Sequence, residues 1–121
     1  MRSEGGSDKA ASWLLRDGEV LASAEVASGV LARSWGLLGR AGYEGALLLP
    51  HTRAVHTIGM RFAIDVAFLD GALVVVATTT MHPWRMGLPR PRARSVLEAQ
   101  AGAFERWRLL PGDRLELRHV T

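Results

Sequence analysis

Two carboxylates in apolar surroundings are the residues best suited to chemistry in this chain. Asp65 lies within FAIDVAFLD, and Glu98 lies within SVLEAQ. A buried carboxylate must be paired or neutralised, so each of the two either has a structural role, with hydrogen-bond partners, or has a functional one. Two carboxyl groups that meet can separate their pKa values and act as acid and base, as they do in glycosidases. The local pattern does not show whether these two meet.

A polar cluster, VHTIGMR at residues 55–61, precedes Asp65, and Trp84 lies in the Arg-rich stretch HPWRMGLPRPRAR. We interpret seven residues as the lining of one binding site: His56, Thr57, Met60, Arg61, Asp65, Trp84 and Glu98. In this interpretation Arg61 binds an anionic group, the two carboxylates bind hydroxyls or amines, and Met60 and Trp84 offer apolar faces. The alternative for the carboxylates is a purely structural role, and His56 can equally be a hydrogen-bonded residue at a strand end.

Other catalytic chemistry finds little support. The spacing of His51, His56 and His82 fits no standard zinc pattern, and the chain has no Cys. It contains no Gly-x-Ser-x-Gly elbow, phosphate-binding loop or dinucleotide fingerprint. We therefore expect neither a metal site nor a cofactor.

The Arg-rich segment at residues 85–94 raises the question of nucleic acid. Aromatic residues mixed with positive charge can bind single strands by stacking and phosphate contacts. However, fourteen of the fifteen basic residues are Arg, which indicates coding bias, and a solvated Pro-Arg loop is the simpler interpretation. We do not expect nucleic acid as the partner.

Length and composition indicate one domain. The chain has 121 residues, of which 48% are hydrophobic, and this is enough to build a core. No apolar run is long enough for a signal peptide or a membrane span, so we expect a cytoplasmic protein outside the membrane. Residues 1–10 are polar and lack periodicity, and we expect a disordered tail there, followed by a single domain at residues 11–121.

Short strands dominate the pattern. Hairpins are predicted at Asp17-Gly18 and Asp70-Gly71, and further strands at GALLLP, SVLEAQ and RLELRH. Helical spacing predicts two short helices, in SGVLARSWGLLGR and in GAFERWRLL. The sequence thus predicts an α+β fold, a small barrel-like and mostly antiparallel sheet with two short helices.

Four blocks in this order resemble domain-of-unknown-function family 192, a group of small prokaryotic proteins: AEVASGVLARSWGLLGR, HTIGMRFAIDVAFLDG, VLEAQAG and LLPGDRLEL. The resemblance implies a compact, β-barrel-like fold with short helices, and it implies no reaction. The chain departs from the family pattern at Leu38, where Met is usual, and at Gln100, where Pro is frequent. Residues 55–60 replace the family's Trp-Met-Lys-Asn-Thr version of the central block.

These patterns predict a domain that binds a small polar ligand or a protein partner without turnover. The alternative is a small hydrolase that uses Asp65 and Glu98 as an acid–base pair, with His56 nearby. The oligomeric state stays open at this stage.

Overall fold

The computed structural model describes residues 9–27 and 45–119. The described residues form one mixed sheet and one short helix. In chain order the elements are β1 (Lys9–Arg16), β2 (Glu19–Ala27), β3 (Ala46–Pro50), β4 (Ile64–Leu69), β5 (Val75–Met81), β6 (Ser95–Gln100), α1 (Ala103–Trp107) and β7 (Leu115–His119). The strand order is β5-β4-β6-β3-β2-β1-β7, and the described neighbours are antiparallel except for the parallel pair β2–β3.

The first predicted hairpin is confirmed. Asp17 and Gly18 have φ values of 54° and 80°, and Arg16 pairs with Glu19. Two successive positive φ angles give a turn whose twist matches that of the flanking strands, which explains why this Asp-Gly dipeptide specifies the register.

The second predicted hairpin is also present, with a wider connection at residues 70–74. Oδ1 of Asp70 accepts hydrogen bonds from the backbone N–H groups of Ala72 (2.8 Å) and Val74 (3.0 Å). The bond from Val74, followed by the bond from Ala72, lowers the pKa of Asp70 because both stabilise the ionised carboxylate.

The sheet is covered on both sides. On the helix face, which carries α1, the strands contribute Leu14, Leu48, Leu69 and Leu97 to a core with Phe104. The loop face is covered by residues 51–63 and 82–94, and its core contains Leu47, Leu49, Ile64, Val66, Phe68 and Val96. All residues of β4 and the first five of β6 are therefore buried, as in a sheet layered on two sides.

The strand-rich α+β expectation holds, with corrections. The described residues contain one helix, and the other predicted helix, at SGVLARSWGLLGR, lies outside them. The sheet is open, with β5 and β7 at its two edges, so closure into a barrel is not observed in the described part. In the described part the two edges approach each other at one corner, where residues 73–75 pair with residues 112–115: Val74 and Arg114 form an isolated antiparallel bridge, Val75 donates to the carbonyl of Asp113 at 2.8 Å, and Leu115 donates to that of Leu73 at 2.9 Å.

β1 begins at Lys9, so the strand includes the last two residues of the predicted tail. Residues 1–8 lie outside the description. Within the described ranges, no helix has the length and apolar character needed to cross a membrane.

Close packing between the two covering loops leads to a prediction at Gly87. A Cβ atom there would lie 2.8 Å from the backbone oxygen of Val55, the same oxygen to which Gly87 N–H donates. We expect Gly87→Ala to lower the free energy of unfolding by about 1–3 kcal/mol, because backbone must move to accept the methyl group. Urea denaturation measures the change.

Gly71→Ala is the matched control, since its added Cβ would find only Arg94 Cγ, at 4.0 Å. Equal stability of the two variants would contradict the packing argument.

Candidate functional site

The two loops that cover the loop face are joined through Thr57. Its side chain is fully buried, its Oγ1 donates to the carbonyl of His82 at 2.6 Å, and the same oxygen accepts from Arg85 N–H at 2.9 Å. Its backbone N–H donates to the carbonyl of Arg85 at 2.8 Å, and its carbonyl accepts from Trp84 N–H at 2.9 Å. Thr57 was predicted to line a binding site. In the structure its hydrogen bonds connect residues 51–63 to residues 82–94.

Further pairing extends this contact along both loops. His56 and Met86 form an isolated antiparallel bridge, and Arg90 N–H donates to the carbonyl of Arg53 at 2.8 Å. Beneath the loops, Val55, Met60 and Ala93 pack into the core of the loop face. We call the solvent-exposed side of residues 51–63 and 82–94 the double-loop surface.

Asp65 lies on the opposite side of the sheet, the helix face. Its carboxylate is buried, with 5% of the residue exposed, and accepts three hydrogen bonds. Oδ1 accepts from the Thr80 hydroxyl at 2.8 Å, and Oδ2 accepts from the backbone N–H groups of Gly102 (2.9 Å) and Phe104 (3.1 Å). Gly102 offers no side chain to cap α1, so Asp65 caps the helix from β4 and satisfies two free N–H groups.

Glu98 is buried in the sheet on the loop face. Its β-ladder partners are Leu47 on β3 and Val66 on β4, and only 6% of the residue is exposed. Burial raises the pKa of Glu98 to about 8, because the apolar surroundings disfavour the ionised form. None of the hydrogen bonds found among the described residues involves its carboxyl group. At neutral pH this carboxyl group is therefore mostly protonated.

The register of β4 and β6 separates the two carboxylates. Asp65 lies opposite Ala99, while Glu98 lies opposite Val66. Directly opposite residues share a face and successive residues alternate, so the two carboxyl groups lie on different faces of the sheet. The expectation that Asp65 and Glu98 form one acid–base pair is therefore wrong, since one substrate cannot contact both through a buried sheet.

The seven predicted site residues accordingly do not form a single lining. His56, Arg61 and Trp84 are exposed on the double-loop surface, and His56 Nδ1 accepts a 3.3 Å hydrogen bond from Ile58 N–H. Thr57 and Met60 lie beneath that surface, Glu98 lies within the sheet on the same side, and Asp65 lies on the other side. Among the described residues, no three His, Asp or Glu side chains are close enough to hold a metal ion.

Sequence reasoning named Trp84 but missed the other large apolar side chains exposed on the double-loop surface, Met86, Leu88 and Ile58. Trp84, Met86 and Leu88 are 65%, 73% and 81% exposed, and Ile58 is 42% exposed. The available signal was large apolar residues within a stretch rich in Pro and Arg that has no strand or helix period. Such residues have no core face to turn towards.

The capping role of Asp65 generates a stability prediction. Asp65→Asn keeps the shape but removes the charge and one of the two acceptor oxygens, because the NH2 group that replaces it only donates, so the hydrogen bonds from Thr80, Gly102 and Phe104 cannot all be kept as bonds to a carboxylate. We expect the free energy of unfolding to fall by about 1.5–3 kcal/mol, the usual contribution of hydrogen bonds to a charged group. Urea denaturation tests this, with Glu105→Gln, an exposed carboxylate in the same helix, as control. Unchanged stability of Asp65→Asn would show that the charge of the capping carboxylate is dispensable.

Glu98 generates a prediction of opposite sign. Its folded pKa of about 8 lies above the ordinary value of 4.5, so the folded protein holds this proton while the unfolded chain loses it. The contribution of Glu98 to stability therefore falls as pH rises from about 4.5 to about 8 and is constant above that range. Glu98→Gln removes this dependence. As pH rises from about 4.5 to about 8, the free energy of unfolding of the variant should therefore increase relative to that of the parent by a few kcal/mol, in order of magnitude.

Urea denaturation at a series of pH values measures the difference between variant and parent, in which all other titrations cancel. Glu116→Gln, at an exposed position on β7, should follow the parent throughout. A pH-independent difference for Glu98→Gln would contradict the raised pKa.

Comparison with other proteins agrees with this architecture. Residues 13–117 match the family DUF192, Uncharacterized ACR, COG1430. The chain is 34% identical over 97 residues to UPF0127 protein PYRAB11210 of Pyrococcus abyssi, covering 76% of this chain and 83% of that protein. It is 34% identical over 110 residues to UPF0127 protein PH1112 of Pyrococcus horikoshii, covering 87% and 90%.

A crystal structure of a protein of unknown function from Novosphingobium aromaticivorans DSM 12444 has a similar fold, with a TM-score of 0.71 and 15% identity over 96% of this chain and 99% of that one. The four sequence blocks, the family match and the two archaeal relatives together show that this protein belongs to the DUF192 family of uncharacterised proteins.

Proposed function

We propose that this domain binds a protein partner through the double-loop surface, without turnover, and that the partner presents acidic side chains around an apolar one. The observation that carries the proposal is the composition of this surface. It combines large exposed apolar residues with charged residues that are all positive, and hydrogen bonds connect the two loops that carry them.

The charge of the surface is one-sided. Residues 51–63 and 82–94 contain six Arg and no Asp or Glu, and all six Arg residues are exposed. The remaining nine basic residues of the chain are outnumbered by its 12 acidic residues, so the net charge of +3 originates in these two loops. An anionic partner is favoured there by long-range attraction and by the bidentate geometry of Arg with carboxylates.

Exposed apolar side chains supply the second component. Trp84, Met86 and Leu88 each leave most of their area in solvent, although a monomer gains nothing from exposing them. Trp, Met and Arg are enriched at the centres of protein interfaces, where a few anchors contribute most of the affinity.

The framework beneath these side chains is already ordered. Thr57 joins both loops, and the guanidinium of Arg90 lies 5.0 Å from the centre of the Phe68 ring. Binding to loops that are already paired costs less conformational entropy than binding to loops that must first become ordered.

A protein partner suits this surface better than a nucleic acid. Single-stranded nucleic acid binds to successive aromatic side chains on which its bases stack. Trp84 is the one exposed Trp, Tyr or Phe in residues 51–63 and 82–94, and the other large exposed apolar residues there, Met86, Leu88 and Ile58, are aliphatic. Aliphatic side chains contribute buried area at a protein interface but no stacking platform.

Selection from a displayed library of random peptides tests the proposal. We expect enrichment of peptides that combine Asp or Glu with large apolar residues. Synthetic versions of these peptides should bind the purified protein by isothermal titration calorimetry, and Trp84→Ala should weaken their binding about 30-fold, as loss of an interface anchor of about 2 kcal/mol does.

Two exposed leucines provide the matched control. Leu88→Asp should abolish peptide binding, whereas Leu110→Asp, at a residue that is 62% exposed outside both loops, should leave it unchanged. Binding of a single-stranded oligonucleotide or of phosphatidylserine vesicles in place of any peptide would overturn the protein partner. Peptides that bind Leu88→Asp and the parent with equal affinity would contradict the assignment of the double-loop surface as the binding site.

A further inference from the structure

The outer edge of β5 is an unpaired strand edge. In the part of the chain that the structure describes, β5 pairs with β4 on one side, and on the other side only its first residue, Val75, is bonded, to Gly112 and Asp113. Thr79 and Thr80 are exposed. The remainder of the strand therefore offers backbone hydrogen-bonding groups to solvent.

The register identifies these groups. Ala101 donates to the carbonyl of Ala63, and Arg94 donates to that of Leu69, so the odd-numbered residues of β4 direct their backbone groups towards β6. The even-numbered residues then bond to β5, and among their partners is Thr79, opposite Val66. Because the pattern alternates in an antiparallel pair, the N–H and C=O groups of Thr78 and Thr80 point away from the sheet.

The two edges of the sheet differ in their protection. Natural edge strands avoid unwanted pairing by carrying charges or Pro. β7 has the sequence LELRH, in which Glu116 and Arg118 form an exposed ion pair at 3.0 Å. β5 has the sequence VVATTTM, with no charge, no Pro and no Gly. The contrast indicates that the β5 edge is open for pairing and the β7 edge is not.

We propose that β5 pairs antiparallel with β5 of a second copy of this chain, so that two sheets join into one across a twofold axis beside Thr79. In this register Thr78 of one copy lies opposite Thr80 of the other, and each such pair exchanges two backbone hydrogen bonds. Thr79 faces its own counterpart on the loop face.

Several features favour a second copy over an unrelated strand. An edge without charge does not repel itself, and closed twofold pairing of identical patches is the commonest form of soluble oligomer. Pairs of Thr residues across antiparallel strands are favourable. On the helix face, an open groove of about 190 Å³ lies between β5 and α1 and is lined by Thr78, Thr80, Phe104 and Glu105 with three other residues, so the helix leaves the edge accessible.

Sedimentation velocity over a wide range of protein concentration tests the proposal. One short strand pair buries less surface than a standard interface, so we expect a reversible shift from the 13.2 kDa monomer to twice that mass as concentration rises. Thr79→Lys and Thr79→Glu should each remain monomeric, because like charges then meet at the twofold axis, and an equimolar mixture of the two should dimerise again.

Recovery in the mixture separates loss of pairing from loss of folding, since two misfolded variants do not restore each other. Glu116→Lys, on the other edge, should dimerise like the parent. A parent that stays monomeric at all concentrations, a dimeric Thr79→Lys variant or a mixture that stays monomeric would overturn the inference. Binding of acidic peptides to the double-loop surface should persist in Thr79→Lys, so this proposal and the proposed function can fail independently.

Discussion

Burial of the central strands on both faces is the constraint on which the remainder of the structure depends. β4 and β6 have no solvent-facing side, so each residue of these strands must suit one of two apolar cores. Because successive side chains alternate between the two faces, one carboxylate lies in each core, and the two environments differ. The helix face gives Asp65 three donors, whereas the loop face gives Glu98 an apolar environment and a raised pKa.

The same constraint explains the covering layers. A short helix suffices on one side because Asp65 stabilises its first turn from within the sheet, and Phe104 then fills the core beneath it. On the other side two irregular loops cover the sheet, and irregular backbone needs partners for its polar groups. Thr57 provides several of them at once, which is why a polar residue is fully buried between loops that expose much of their apolar content.

The elements were predictable where the signal is local. Asp17-Gly18 requires positive φ at two positions, and the alternation around Asp65 assigns its neighbours to the correct faces. The site was less predictable, because it depends on long-range pairing. Whether Asp65 and Glu98 share a face is decided by the register of β4 on β6. The buried position of Thr57 is decided by its hydrogen bonds to His82 and Arg85, which lie 25 and 28 residues further along the chain. Neither relation leaves a trace in the composition of the segments themselves.

Positive charge is concentrated in residues 51–63 and 82–94, while acidic residues outnumber basic ones in the rest of the sequence, an asymmetry of the kind that gives a protein an electric dipole. A dipolar protein turns in the field of a charged partner before contact, so that encounters occur in the productive orientation and the association rate rises. In the proposed complex, the apolar side chains on the same loops would act only after contact, through the rate of dissociation. Ionic strength would thus change how fast a complex forms more than how long it lasts.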